Sequence, residues 1–188
     1  MPTQISRYIE GYVIASADGM IADAHGKMPD SIRNDADQSY FQDSLDRAGV
    51  LVHGRHSHEG GPRADRRKRI ILTRRIARLA PDPAYPHALS WNPSGASLDE
   101  ALAAAGIGDG PIAVIGGTAV FGLFLPLYNI FHLSHAARAR IPGGQPVFPP
   151  SGGALTPEER LTAAGLRPGE RRELDAAAGV SVVSWERD

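Results

Sequence analysis

The sequence predicts an α/β fold whose sheet is parallel in the middle and antiparallel at its late edge. Three observations predict it. Apolar, β-branched runs alternate with segments of helical spacing up to about residue 130. Strand-like segments then cluster at the end, closing on VSVVSW at 180–185. Between them, residues 111–126 (PIAVIGGTAVFGLFLP) give one strand–glycine pair–helix unit around which the other pieces fall into order.

Residues 8–16 (YIEGYVIAS) read as a strand, and its unbroken apolar half, 12–15, belongs at the centre of a sheet. Residues 16–30 (SADGMIADAHGKMPD) are rich in Gly, Asp and Ala and read as a long loop. Met20 and Ile21 give it an apolar centre able to fold over a pocket. Residues 34–45 (NDADQSYFQDSL) open a helix capped by Asn34 or Asp35, with Asp37 in the first turn where the helix dipole favours negative charge. Tyr40, Phe41, Leu45 and Ala48 form its apolar stripe. Asp37 and Phe41 are four apart and share a face. That carboxylate has two readings: a substrate contact, or an acid that only matches the dipole.

Residues 49–54 (GVLVHG) are a short strand. RHSHE at 55–59 follows at once and can start a helix that Gly60-Gly61-Pro62 stops early. Arg55 can fork onto a phosphate and Ser57 can donate to one. His56 and His58 are two apart with no third ligand apparent nearby, which speaks against a metal. The basic run 63–69 (RADRRKR) has three readings: nucleic acid, a solvated loop, or a hold on a substrate carboxylate or phosphate. Residues 70–73 are a strand with Arg74 and Arg75 just beyond its end. Ligands of open α/β sheets sit past the carboxyl ends of strands, so Arg55, Arg74 and Arg75 can converge on one phosphate.

Residues 81–86 read as a loop and 87–91 as a short strand. Ser97 caps the helix SLDEALAAAG, with Glu100 completing a capping box and Gly106 ending it. The strand 112–115 halts at Gly116-Gly117. A helix follows over 118–125, with Val120, Phe121, Phe124 and Leu125 on its apolar side, and Pro126 stops it. A glycine pair lets backbone approach something a Cβ would exclude, and the helix aims free N–H groups at the same spot. That layout suits the pyrophosphate of a dinucleotide, although the third glycine of the Rossmann fingerprint is missing. The bland reading is a tight turn. Residues 128–135 (YNIFHLSH) form a strand, 143–146 a turn, 147–149 a short extended piece, 151–161 loop and poor helix, and 166–176 an irregular strand.

One domain over residues 1–188 is the expectation for 188 residues. No Cys is present, which excludes disulfides, thiolate metal sites and a cysteine nucleophile. The formal net charge of −1 gives no global pull toward nucleic acid or membrane. No apolar run approaches the roughly 20 residues of a membrane span, and MPTQISRYIEGYVIA carries no cleavage pattern, so a cytoplasmic protein is expected.

Taken together, SADGMIA (16–22), DQSYF (37–41), VLVHGRHSHE (50–59), RKRIILT (67–73), SLDEALAAAG (97–106), IAVIGGTAVFGLFLP (112–126) and FHLSH…GGQPVFP (131–149) resemble dihydrofolate reductase and its relatives, including the reductase domain of riboflavin biosynthesis. The resemblance runs from about Tyr8 to Trp185. It implies a three-layer α/β/α fold around a mixed, mostly parallel eight-stranded sheet with an antiparallel C-terminal edge. It also implies NADPH as cofactor and hydride transfer to a C=N bond. On the cofactor side it places Ala15 and Ile21, then Gly54, Arg55, His56 and Ser57 at the pyrophosphate and 2′-phosphate, and Thr73 and Arg74 at the adenosine. Ile115, Gly116, Gly117, Thr118, Ala119 and Val120 match the segment around the family's cis peptide. The loop 17–28 matches one that closes over the nicotinamide. Asp37 matches the carboxylate that hydrogen-bonds the substrate ring and promotes its protonation. Phe41 matches the ring packed on the substrate, Ser134 a hydroxyl supporting the carboxylate, and Arg67 the arginine that holds the folate carboxylate.

The sequence also departs from the folate enzymes. Their tryptophan before the helix is absent, with Asp30-Ser31 in its place, and Phe121 replaces a common tyrosine. Alignment on Met28-Pro29 selects Asp35 instead of Asp37. Ser16-x-Asp18-Gly19-x-Ile21-Ala22 resembles the riboflavin-pathway reductases, whose substrate is a ribosylaminopyrimidine phosphate, whereas GRHSHE is closer to the folate enzymes. The resemblance therefore implies a pyrimidine reductase, with dihydrofolate reductase as the alternative and a non-catalytic NADPH-binding module as the reading from another class. The expected partner is a small-molecule substrate, with no nucleic acid, membrane or metal, and a homodimer is allowed.

Overall fold

Nine strands form the main sheet of the computed structural model, which describes residues 7–188. The N-terminal reading rests partly on residues 1–6, outside the described ones. The elements are β1 (Ile9–Ser16), β2 (Met20–Ala22), α1 (Asp35–Leu45), β3 (Val50–Gly54), β4 (Arg69–Leu72), β5 (Leu79–Pro81), β6 (Ala88–Trp91), α2 (Leu98–Ala105), β7 (Ile112–Gly116), α3 (Thr118–Phe124), β8 (Ile130–Ala136), β9 (Gln145–Pro146), α4 (Pro157–Ala163), β10 (Leu166–Asp175) and β11 (Val180–Arg187). The sheet order is β10-β11-β8-β1-β7-β3-β4-β6-β5. Pairs from β8 across to β6 are parallel, while β11 on β8, β10 on β11 and β5 on β6 are antiparallel. A mixed, mostly parallel sheet with an antiparallel C-terminal edge is thus present.

The ninth strand is β5, which meets the expected loop 81–86 only at Pro81. It is three residues long and ends in Pro81, a residue tolerated at a sheet edge because no neighbour needs its missing N–H. At the other edge, β10 shifts register between Pro168 and Arg171 and again between Glu173 and Asp175. Its exposed charges and breaks in register blunt an edge that would otherwise invite further pairing. β11 lies inside this edge and completes the sheet.

Parallel central strands must be covered on both faces, and the burial of Val50, Leu51, Val52, Ile112, Ala113 and Val114 shows that they are. Phe131 on β8 packs edge-on to Phe121 of α3 and Tyr128, with ring centroids 5.7 and 4.9 Å apart. A Cβ on Gly11 would collide with the Phe131 ring, so the neighbouring strand leaves that ring its space. These contacts fix α3, and with it the glycine pair, against the end of β7.

Two local expectations are corrected and a third is sharpened. The segment 55–59 is not a helix but a turn and irregular chain, because the Glu59 side chain is drawn inward, as described below. Residues 16–30 are not wholly loop: β2 pairs antiparallel with β9. The stretch 151–161 contains α4, which starts on a full capping box of Thr156 and Glu159 with Pro157 in its first turn. Among the described residues no helix is long and apolar enough to cross a membrane.

Candidate active site

β3 and β7 run parallel side by side, with His53 opposite Gly116, so the chain leaves both strands at the same end of the sheet. There the 54–59 turn, the glycine pair, the start of α1 and one face of β8 enclose a cleft of about 1240 Å³.

One end of the cleft is built from glycines and hydroxyls. Gly117 is the N-cap of α3, and the Gly116–Gly117 peptide is cis. A Cβ on Gly117 would stand 3.3 Å from Ser57 Oγ, in the space between the two segments. Thr118 donates from Oγ1 to the Pro146 carbonyl at 2.5 Å, tying α3 to β9. Arg55 and His56 are exposed on the turn, and among the described residues no carboxylate pairs with Arg55.

The turn is mounted on a buried ionic cluster. The Glu59 carboxylate, with no exposed side-chain surface, takes two hydrogen bonds from Arg69 at 2.7 and 2.8 Å. Arg69 is 2% exposed and also donates to the Ala64 carbonyl at 2.6 Å and to His53 Nε2 at 3.0 Å. With Nε2 accepting, His53 donates from Nδ1 to the Gly54 carbonyl at 2.7 Å. Burial holds this imidazole down at about 4, so it is neutral. Burial alone would raise Glu59, but hydrogen bonding and charge from Arg69 reverse this and leave it below the usual carboxylate range.

At the other end stands Asp37. Asn34 caps α1 by accepting from the Ala36 and Asp37 amides at 3.0 and 3.1 Å, and its own amide donates to Asp175 at 2.8 Å. This fixes the first turn and sets Asp37, 9% exposed, into the cleft. Burial raises its pKa, and the Ser134 hydroxyl on β8 pulls partly the other way. Asp35 reaches the same cleft but is exposed, so Asp37 is the buried one of the two candidate carboxylates. Phe41, one turn along, meets Tyr12 edge-on at 6.3 Å.

The cleft brings together Asp37, Phe41, Ser134 and Ile21 with Gly54, Arg55, His56 and Ser57, and with the segment Ile115, Gly116, Gly117, Thr118, Ala119 and Val120. Four expected residues stand apart. Ala15 is in the core, and Thr73 is buried with its hydroxyl accepting from the Arg75 amide. Arg74 is exposed and does not line the cleft. Arg67 is 8% exposed in its side chain and bound to Asp46 at 2.7 Å and Glu59 at 3.3 Å. Arg63 shares Asp46 at 2.8 Å. Within the basic run Arg63 and Arg67 therefore turn toward Asp46, and Arg67 and Arg69 toward Glu59, two carboxylates of their own chain. Sequence reasoning missed Tyr12, Tyr40 and His132, which line the deep end. The available signal was periodicity: His132 and Ser134 alternate on one strand face, as Asp37 and Tyr40 share one helix face. Among the described residues no group of three or more metal-ligating side chains occurs.

No protein-family model matches the sequence, and no curated protein matches it. Solved structures do. The chain is similar to dihydrofolate reductase from Enterococcus faecalis complexed with NADP(H) and RAB-propyl, with a TM-score of 0.65 and 19% identity over 96% of each chain. It is equally similar to a putative riboflavin biosynthesis protein from Shewanella sp. PV-4, with a TM-score of 0.65 and 18% identity over 96% of this chain and 99% of that one. A third is the diaminohydroxyphosphoribosylaminopyrimidine deaminase/5-amino-6-(5-phosphoribosylamino)uracil reductase of Thermotoga maritima, with a TM-score of 0.63 and 15% identity over 97% of this chain and 57% of that one. The chain thus spans little more than half of the third protein. At these identities the likeness establishes the fold, which is dihydrofolate reductase-like.

Proposed function

We propose that this chain is an NADPH-dependent reductase of a pyrimidine, of the ribosylaminopyrimidine phosphate type. The observation that carries the proposal is one buried carboxylate of raised pKa, Asp37, sharing a cleft with a glycine pair and an unpaired arginine. The fold's neighbours support it: one is complexed with NADP(H), and two carry riboflavin biosynthesis or pyrimidine reductase names.

The residues fit NADPH. The missing side chain at Gly117, where a Cβ would stand 3.3 Å from Ser57 Oγ, admits a pyrophosphate close to backbone, and the Ser57 hydroxyl can donate to it. Arg55, without a carboxylate partner, is suited to the 2′-phosphate. When bound, NADPH supplies a hydride to the substrate carbon. The electron pair of the reduced C=N bond then settles on nitrogen, which needs a proton, and Asp37 is placed to hold and deliver it. Burial keeps that carboxyl protonated to higher pH than an exposed one. Phe41 holds the ring and Ser134 the carboxyl orientation.

The test follows NADPH absorbance with dihydrofolate in one assay and the deaminated ribosylaminopyrimidine phosphate in the other. Oxidation with the pyrimidine alone is expected. Oxidation with dihydrofolate alone overturns the substrate, and failure to bind NADPH at all overturns the reductase. Arg55→Ala is expected to weaken NADPH about 10- to 100-fold, the worth of a charged hydrogen bond, and to leave NADH affinity unchanged. Equal losses for both nucleotides would take the 2′-phosphate away from Arg55. Gly117→Ala is a second probe. Its φ of −81° suits any residue, so melting should hold while a methyl in the cleft weakens both nucleotides about tenfold. Calorimetric titration reads both variants.

A further inference from the structure

The deep end of the cleft, beyond Asp37, is a polar aromatic wall with one uncommitted hydrogen-bond donor. Asp37 and Tyr40, three apart on α1, face Ser134 and His132, two apart on β8. They form successive rungs, Asp37 with Ser134 and Tyr40 with His132. The rungs are separated by two strand residues, about 6.6 Å, a distance that a six-membered ring and its exocyclic substituent span.

The His132 ring is fixed from three sides. Tyr12, its register partner on β1, stacks on it with centroids 4.6 Å apart and planes 17° from parallel. Tyr40 Oη lies 3.0 Å and Ser184 Oγ 2.8 Å from Nδ1. The Tyr12 hydroxyl is turned away onto Glu10. Two hydroxyls bring two protons to this triangle, and the Ser184 hydroxyl also bonds Tyr40. With Nδ1 as acceptor, one hydroxyl proton goes to nitrogen and the other to the second oxygen, and every group is satisfied. With a proton on Nδ1, one hydroxyl proton would have to leave the triangle for another partner. The ring is neutral, because burial and the nearby Arg47 hold it at about 4. The arrangement that keeps every proton of the triangle paired within it puts the ring's single proton on Nε2. Among the described residues no protein atom bonds Nε2, it is not a closed-off buried atom, and the residue lines the cleft.

We propose that His132 is a specificity-determining residue that donates from Nε2 to an exocyclic oxygen of the substrate heterocycle, so that the site takes a pyrimidinedione in preference to its amino counterpart. This rests on the pyrimidine reductase reading and adds to it the edge of the ring that is recognised. A carbonyl oxygen meets the Nε2–H; an amino group in its place sets donor against donor in a buried site, where an unmade hydrogen bond is costly.

The test uses fragments, 5,6-diaminouracil against the same ring with its 2-oxo or its 4-oxo group replaced by amino. Each is titrated calorimetrically into the protein saturated with NADPH, whose own binding is measured first so that failure of the reductase reading is seen separately. The wild type is expected to bind the dioxo ring at least about tenfold tighter than one of the amino rings. His132→Phe, which keeps the stack on Tyr12 and loses the donor, should erase that preference without changing the NADPH dissociation constant, and His132→Gln should restore part of it. Equal affinities for all the rings, preference for the amino rings, or an undiminished preference in folded His132→Phe overturns the proposal while leaving the reductase reading intact. If no fragment binds the NADPH-loaded protein, the proposal falls together with the pyrimidine as substrate.

Discussion

Asp37→Asn lowers the rate of hydride transfer by about 10²- to 10⁴-fold, the usual worth of a positioned proton donor. NADPH affinity stays unchanged, because Asp37 stands at the opposite end of the cleft from Arg55 and the glycine pair. The pH profile carries the stronger signature. Burial raises the Asp37 pKa, so the protonated form that can deliver a proton persists above the ordinary carboxylate range and is lost as pH rises through the raised value. Wild-type turnover falls across that window, and the variant's residual turnover should be flat there. Stability moves the other way. A raised carboxyl pKa means the folded state binds more protons than the unfolded one, so stability declines as pH rises from the ordinary toward the raised pKa. Asn removes that penalty while keeping the side chain's shape, so the variant should melt no lower than wild type at neutral pH. A site that gives up stability to hold a working group behaves in this way. Single-turnover absorbance against pH, paired with melting curves, checks both halves. Wild-type turnover in the variant would remove Asp37 from the chemistry, and a lower melting temperature would make it a structural acid.

The parts of this site that were legible in the sequence are those determined locally. The glycine pair between a β-branched run and an apolar helical stripe is readable within residues 111–126, and the strand and helix there follow the reading. The cap at Asn34 is equally local, since its side chain serves amides two and three residues on. What failed was determined at a distance. The ion pairs of Arg67 are not legible locally, because its partners, Asp46 and Glu59, are 21 and 8 residues away and nothing nearby announces them. RHSHE was offered as a helix because a polar segment after a strand often begins one; here tertiary pairing of Glu59 with Arg69 on β4 overrides that preference. β5 escaped notice because three residues ending in proline carry almost no periodicity. α4 is a different case. Thr156-Pro157-x-Glu159 is a complete local start signal, and it sharpens the reading of 151–161 as loop and poor helix into a capped helix.

Glu59→Ala tests whether the ionic mount beneath the 54–59 turn is as consequential as its burial implies. Truncating one partner of a buried pair leaves the other charge desolvated, which costs about 3–5 kcal/mol. For a chain of this size each kcal/mol lowers the melting temperature by about 2–4 °C, so a fall of about 6–20 °C is expected. Arg69 has the Ala64 carbonyl and His53 as remaining partners, and neither neutralises it. The loss should depend on pH with a definite sign. Glu59 titrates below the usual carboxylate range, so its contribution is fully present above the ordinary carboxylate pKa and disappears as pH falls through the lowered value. Wild type and variant should therefore converge in acid. A double replacement, Glu59→Leu with Arg69→Met, separates charge from packing: apolar residues of similar volume remove the stranded cation, and stability should return toward wild type. Cofactor affinity should not return with it. The pair also anchors the turn that carries Arg55 and Ser57, through Glu59 in the same segment and through the His53 bond to the Gly54 carbonyl. Recovery of melting temperature without recovery of NADPH affinity would show that the buried charges orient the nucleotide site. Recovery of both would reduce them to packing, and an unchanged melting temperature in Glu59→Ala would mean that the pair is solvated in solution and holds nothing.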